Sequence, residues 1–361
     1  MIDIQKIVQT NFNVVQTQTT IGSYKKVLFV CNEQNSATHR EAGIAVYTGL
    51  GGNSADITTI IIPNDSKKDD SQYISDTILS KKKQVSGTDD DFIFVCLCSG
   101  IVSTASSLWS NNGVLAKLCA FSAPYKVIPC VTAYDTTNID HTLPVAVKLG
   151  NGLDMEESAM AIPAYFSKIE LDKGQSLKDY CYTEEKEIDE NYSVVQIADT
   201  DYEAYVSKYN FLNKVGNKFV NFGGNLVNGV SITAQFGAIA VENDIIKAVL
   251  NTMLKKQYLN NQGLNNIISA INDAMTRYTY NGFLEQNGVY TGETYVDTYT
   301  TPATTLIKKG VILPEGYYVA RIPMSKLTMN DRHARKFTPI RIFMQTLSGA
   351  RVVEIDGTIV D

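Results

Sequence analysis

The residue types able to do chemistry are few and scattered. Three histidines occur, His39, His141 and His333. None lies three or four residues from a Cys, Asp or Glu, the spacing that sets two metal ligands on one helix face. Asp331 precedes His333 by two residues, which puts the pair on different sides of a helix. Six cysteines, Cys31, Cys96, Cys98, Cys119, Cys130 and Cys181, show neither a zinc spacing nor a disulfide framework. Several sit in apolar runs such as Phe94-Val-Cys-Leu-Cys98, as small buried hydrophobes do. Ser103-Thr-Ala-Ser-Ser107 offers hydroxyl nucleophiles after Gly100 but no GxSxG elbow. Gly49, Gly51 and Gly52 fit no phosphate-binding loop, and no helical stripe begins after them, so they read as a turn. The acids of 184–190 lack the alternation and central glycine of a calcium loop. No catalytic residue, cofactor ligand or metal ligand is assigned, and the expectation is a chain that is not an enzyme and carries no cofactor.

The elements around these residues give the fold class. Val27–Cys31 is a continuous apolar run, the pattern of a strand covered on both faces. Similar runs recur at 57–62, 92–98 and 126–131, with helical candidates at 71–83 and 114–121 between them. Strands alternating with helices predict an α/β layer. A doubly wound nucleotide-binding domain is the competing reading, and it lacks its phosphate loop. Residues 1–23 are different. Ile2 and Ile4, then Phe12 and Val14, alternate as a strand would, but Gln16–Thr20 has β-propensity and little to bury. Such a segment orders by adding to another sheet's edge.

The second half reads as α+β. A helix is expected over 156–169, with Pro163 kinking it or capping its start. Another is expected over 201–213, with Tyr202, Tyr205, Tyr209 and Leu212 on one side. Phe219–Phe222 is a short strand, turned by Gly223-Gly224. Phe236, Ile239, Ala240, Ile246, Val249, Leu250 and Met253 form the stripe of a long amphipathic helix, interrupted by Asn243 as a satisfied polar position. Leu264, Ile267, Ile268, Ile271, Met275 and Tyr278 repeat the pattern, which predicts an antiparallel pair joined at 257–263. A third short helix is expected to end at Gly310, with Lys308 and Lys309 in its last turn. Ile340–Thr346, a turn at Ser348-Gly349 and a return over 350–355 predict a hairpin. Thr358-Ile-Val360 is a last short strand without a partner in the chain.

Charge limits the partners. A net charge of −6 excludes a general nucleic-acid binder. The start, Met-Ile-Asp-Ile-Gln-Lys-Ile, is no signal peptide, and no apolar run approaches a membrane span, so synthesis in a reducing cytoplasm is expected. Glu184, Glu185, Glu187, Asp189, Glu190, Asp199, Asp201 and Glu203 face Lys186 alone in one stretch. Lys308, Lys309, Arg321, Lys326, Arg332, Arg335, Lys336, Arg341 and Arg351 face only Glu315 and Asp331 in another. A chain with one acidic and one basic stretch can pair with copies of itself. Two solvated faces are the plainer alternative.

Several segments, taken in order, resemble a known family. They are Glu203-Ala-Tyr205, Lys214 through Asn225, Phe236–Lys256, Asn281-Gly-Phe283, Lys309-Gly-Val-Ile312, Leu313-Pro-Glu-Gly-Tyr-Tyr-Val319 and Ser348–Ile355. Ile7-Val8 with Phe12-Asn-Val14 resembles the family's opening strand. The chain is similar in these to the DUF3383-type phage structural proteins, the short tail sheath proteins of some contractile-tailed phages. The similarity is fuller over 200–361 than over 30–150, and rests on order and pattern, since none of these motifs carries chemistry. It implies a two-domain, tail-sheath-like protein, α/β plus α+β, with extended terminal arms. Residues 1–23 would be an N-terminal arm and 24–150 an outer α/β domain. Residues 151–345 would be a tube-facing C-terminal domain and 346–361 a terminal hairpin or arm. It further implies stacked hexameric rings around a tail tube, contracting to drive the tube through the host envelope for genome delivery. The partners would be further copies of the chain, the tube protein, and baseplate and terminator proteins, within a virion tail made in a bacterial host, with no nucleic acid bound and no membrane insertion. The arm residues would be Ile2, Ile4, Ile7, Phe12 and Val14 at one end and Val352, Val353, Ile355 and Ile359 at the other. Lys308, Lys309, Arg321, Lys326, Arg332, Arg335 and Lys336 would meet the tube or a neighbouring subunit. A tube or baseplate protein, or a small-molecule enzyme built on the α/β layer, remain the alternatives.

Overall fold

The structure is a computed structural model. It describes residues 24–33, 36–64, 70–103, 108–122, 124–133, 138–149, 157–169, 171, 180–181, 184 and 199–347. The expected arm residues Ile2, Ile4, Ile7, Phe12, Val14, Val352, Val353, Ile355 and Ile359, and Arg351, lie outside the described residues, as does the expected return strand at 350–355.

The apolar runs of the first half form one parallel sheet. Its strands are β1 (Lys26–Asn32), β2 (Ile57–Ile62), β3 (Phe92–Leu97), β4 (Ile128–Ala133) and β5 (Ala146–Leu149), in the order β2-β1-β3-β4-β5. Every residue of β3 and β4 is buried, as runs without alternation require when helices cover both faces. The crossover helices are α1 (Ser36–Gly49) and α2 (Ser71–Val85), followed by the short α3 (Ser99–Ser103) and α4 (Val114–Cys119). From β1 the chain steps one way to β2, then back past β1 to β3. Right-handed crossovers therefore set α1 and α2 on opposite faces. Helix α2 starts on an Asp70 cap, whose carboxylate accepts from the amides of Gln72 and Tyr73. The glycines after α1 make the expected turn, with Gly51 at φ 82°.

Where a long helix was expected over 156–169, a single 3₁₀ turn (Ser158–Met160) leads into α5 (Ala161–Ser167). Pro163 falls in the first turn of α5, where its missing N–H costs nothing. The helix expected over 201–213 stops at Val206 (α6, Asp199–Val206), and β6 (Phe211–Val215) follows. Tyr209 and Leu212 are therefore not part of one helical stripe. Tertiary pairing decides this. The Asn210 amide donates to the Val147 carbonyl (2.9 Å), and the Leu149 amide donates to Asn210 (2.8 Å), extending the β5 edge. The Asn210 side chain bonds both the Val147 and Asn225 carbonyls. β6 pairs antiparallel with β7 (Lys218–Phe222).

The long helices stand as their stripes predict, α7 (Ile232–Leu254) and α8 (Asn261–Tyr280). Ser231 and Asn260 cap them, each side chain accepting from a backbone amide three residues on. Ile246 is 5% exposed. Asn243 departs from expectation. It is buried, and its Nδ2 has no hydrogen-bond partner among the described residues. The satisfied polar group is its neighbour Asp244, which accepts from Tyr24 (3.1 Å) and Tyr278 (2.7 Å) hydroxyls. One apolar core runs from the sheet into this helix pair. Its joint is aromatic: Phe236 of α7 stacks on Phe94 of β3 (5.5 Å between centroids) and meets Phe166 of α5 at 4.9 Å.

The remaining elements are small ribbons. β8 (Gly288–Val289) pairs with β11 (Ile312–Leu313), β9 (Tyr295–Asp297) with β10 (Thr304–Ile307), and β12 (Tyr317–Arg321) with β13 (Ile340–Met344), all antiparallel. The short helix α9 (Met329–His333) precedes β13. The helix expected to end at Gly310 is strand β10 instead. Thr304, Thr305 and Ile307 are β-branched and favour the pleated backbone, and Gly310 at φ 87° makes a turn rather than a helix cap. Strand β13 thus has β12 as a partner, upstream of it in the chain.

Candidate interaction surface and switch-point cluster

The basic residues singled out by the sequence fall on the ribbons and the turns beside them. Lys308 and Lys309 follow β10, Arg321 ends β12, and Lys326 closes a 3₁₀ turn, Met324–Lys326. Arg332 is in α9, and Arg335, at φ 54°, and Lys336 leave it. The Thr328 hydroxyl caps α9 by accepting from the Asp331 amide and donates to the Asp331 carboxylate; the Tyr299 hydroxyl donates there too (2.7 Å). These bonds, Thr328 foremost, hold the Asp331 carboxyl below the usual carboxylate range. Six of the seven bases are exposed and Lys336 is half-buried. Lys309 pairs with Glu293 at 3.2 Å, and Arg321 donates to Asn265. Lys308, Lys326, Arg332 and Arg335 have no ion-pair partner among the described residues. Arg341 is spent internally, bonded to buried Asp297 at 2.9 Å and lying over the Tyr295 ring. Of the acidic stretch, Glu184 pairs with Lys218 at 3.0 Å and Glu203 is exposed.

Apolar side chains stand out in water beside these bases. Val289, Val296, Ile312 and Tyr318, on β8, β9, β11 and β12, are exposed by 46 to 59%, and Val311 by 42%. Each of these sheets has two strands among the described residues, so each strand keeps an unpaired backbone edge. A two-stranded ribbon is marginal alone and gains from a further strand.

The sheet order holds a second place of interest. Neighbouring crossovers leave β1 and β3 in opposite directions, and the crevice beyond their carboxyl ends is where open α/β sheets bind ligands. His39, in the first turn of α1, enters it 7% exposed. Its Nδ1 lies 3.0 Å from Glu157 Oε1 and 3.2 Å from Ser99 Oγ. The Ser99 hydroxyl and amide both donate to that same oxygen, each at 2.8 Å. Glu157 sits at φ 66° just before the 3₁₀ turn, whose Ala159 amide donates to Thr132 Oγ1 on β4. Burial pushes the Glu157 carboxyl up, against the pull of Ser99 and His39. Cys98 completes the group: one ligand atom each from His39, Cys98 and Glu157 lie within 4.8 Å of one another.

Serine, histidine and carboxylate in contact suggest a hydrolytic triad, and the geometry denies it. A triad imidazole bridges its partners with two different nitrogens. Here Nδ1 faces both Ser99 and Glu157, and buried Nε2 has no hydrogen-bond partner among the described residues. Sequence spacing left His39 alone because its partners lie about 60 and 120 residues away along the chain. The one available signal was position: residues that directly follow β1 and β3 converge in such sheets.

No helix among the described residues is long and apolar enough to cross a membrane. No curated protein matches the chain. Residues 232–359, from the first residue of α7 through the ribbons, match the family model described as E217 tail sheath protein gp31-like, C-terminal domain, and so the C-terminal part of this chain is similar to that domain of phage tail sheath proteins.

Proposed function

We propose that the chain is a structural subunit of a contractile phage tail sheath, polymerising as stacked hexameric rings around a tail tube. The observation that carries this reading is the match of 232–359 to a tail sheath C-terminal domain. Its contraction would drive the tube through the host envelope, and its role is not catalytic. Open-edged ribbons, exposed Val289, Ile312 and Tyr318, and bases without an ion-pair partner among the described residues on the same stretch support an adhesive surface. In this reading 24–150 form an outer α/β body and 151–345 face the tube. Residues 1–23 and 346–361 act as arms, adding strands to neighbouring subunits.

Electron microscopy of the purified full-length chain tests the proposal. Long hollow tubes are the expected result, and deletion of residues 1–20 leaves a folded, soluble protein that no longer forms them. A chain that stays monomeric at all concentrations, with and without a tube protein, overturns the reading. A tube or baseplate protein would instead give short rings or none.

A further inference from the structure

We propose that the switch-point cluster binds one transition-metal ion of the zinc class, held by His39, Cys98 and Glu157. The donor set is imidazole nitrogen, thiolate sulfur and carboxylate oxygen, the combination that zinc and its neighbours take in protein sites. All three side chains belong to buried residues and their ligand atoms already converge within 4.8 Å. Ligand atoms held about 2.0–2.3 Å from one ion lie closer together than that, so small side-chain shifts would close the site.

Three observations point to an ion rather than to a packed polar core. First, the His39 imidazole is more than nine-tenths buried, yet its Nε2 has no hydrogen-bond partner among the described residues. An orphaned lone pair in a dry interior is costly unless something accepts it. Second, only glycine, Gly100, fits beside that nitrogen, so no side chain from this position meets it. A Cβ built there would lie 2.9 Å from Nε2 and 2.8 Å from the Asn32 amide atoms, so any side chain would press on the imidazole. Third, the charges balance. A thiolate and a carboxylate carry two negative charges, and a divalent ion neutralises both where burial disfavours either alone.

The ion would tie together three elements that sequence separates: the first turn of α1, the exit from β3 and the turn before α5. It would replace the arrangement in which one carboxylate oxygen accepts from the Ser99 amide and hydroxyl and meets His39. Cys31 of β1, whose thiol hydrogen-bonds that of Cys98, lies beside the site but outside the ligand set.

The test uses the full-length chain, stripped with a chelator and titrated with Co²⁺ and with Zn²⁺. One equivalent should bind. Cobalt should give a thiolate-to-metal absorption band in the near ultraviolet and the intense visible bands of a four-coordinate site. Cys98→Ser should abolish the near-ultraviolet band. His39→Gln and Glu157→Gln should weaken binding by at least about tenfold. Circular dichroism must show each variant folded, and Cys98→Ser, nearly isosteric, is the variant least able to disturb folding. Cys31→Ser and Cys119→Ser should keep the band. Absence of stoichiometric binding, survival of the band in Cys98→Ser, or its loss only in Cys31→Ser or Cys119→Ser, each overturns the assignment.

Discussion

Phe236 is where the tail-sheath-like part of the chain meets the α/β layer, and its removal tests whether the two share a core. It is 1% exposed, stacked at 10° on Phe94 and packed at 4.9 Å against Phe166. Phe236→Ala removes a buried ring and leaves a cavity between rigid elements, a loss of about 3–5 kcal/mol. The two aromatic contacts, at about 0.5–1.5 kcal/mol each, put the expected value near the middle of that range, about 4 kcal/mol. The melting entropy converts this into temperature. At about 2.1 cal/mol/K per residue, cooperative melting of all 361 residues gives about 0.76 kcal/mol/K and a shift of about 5 °C. If a unit of about 150 residues melts alone, the same loss moves its transition by about 13 °C. Scanning calorimetry separates the cases, and urea titration with an unchanged slope checks the free energy. Val289→Ser, at an exposed position, should stay within about 0.5 kcal/mol of the parent. A loss under about 1 kcal/mol for Phe236→Ala would refute the aromatic joint.

Three further outcomes are expected. Ile246→Asp places an unpaired carboxylate in the α7–α8 core, costs several kcal/mol and abolishes soluble expression; normal yield would show that the α7 stripe is misread. Burial raises the Asp244 carboxyl against its bonds to Tyr278 and Tyr24, so its stabilising contribution is complete below its unfolded pKa of about 3.9 and is lost as pH rises through the folded value. Asp244→Asn should therefore flatten the stability profile on the side above about pH 4, measured by urea unfolding, and an unchanged slope would refute this. Charge reversal of Arg332, Arg335 and Lys336 together should impair assembly, and added salt should weaken the parent's assembly in the same direction as the Debye length falls from about 10 Å at 0.1 M to about 3 Å at 1 M. Failure only with tube protein present assigns the patch to the tube, failure in both cases to subunit contacts, and unchanged assembly at low and high salt to solvent.

The parts legible in the sequence were those set by long runs of one period. Val27–Cys31 and Phe92–Cys98 announce buried parallel strands because both faces are covered. The stripes of α7 and α8 announce a helix pair because they repeat over about five and about four turns. What escaped was decided by partners distant in sequence. Helix α1 has only His39, Gly43 and Tyr47 buried, too small a stripe to stand out, and Gly43 is there because the Phe29 ring leaves no room for a Cβ. The 201–213 segment has helical spacing, but Asn210 is taken by the β5 edge. The switch-point cluster was illegible for the same reason: no local spacing records that α1, β3 and residue 157 end in one crevice.

The two parts of the molecule hold their geometry by different means, and the difference bears on the assembly reading. In the α/β layer, buried polar contacts fix where the crossovers return. Lys82 at the end of α2 donates to Asp91 at 2.6 Å and to the Phe92 carbonyl, which pins the helix to the start of β3. Lys148 on β5 donates to Tyr180 and Asn221, tying the sheet to β7. Buried pairs of this kind add little net stability, because desolvation offsets their attraction, but breaking one is costly. They therefore act as geometric constraints on a rigid body. The ribbons are built the opposite way, with short strands, open edges, and apolar side chains and bases facing solvent. In the proposed sheath, a body joined through Phe236 to such a β surface would pass force between neighbours and leave backbone hydrogen bonds free to be made across subunits. At the switch point, Glu157, Ser99 and His39 hold one another in the same constraining way, tying the turn before α5 to α1 and to the exit from β3.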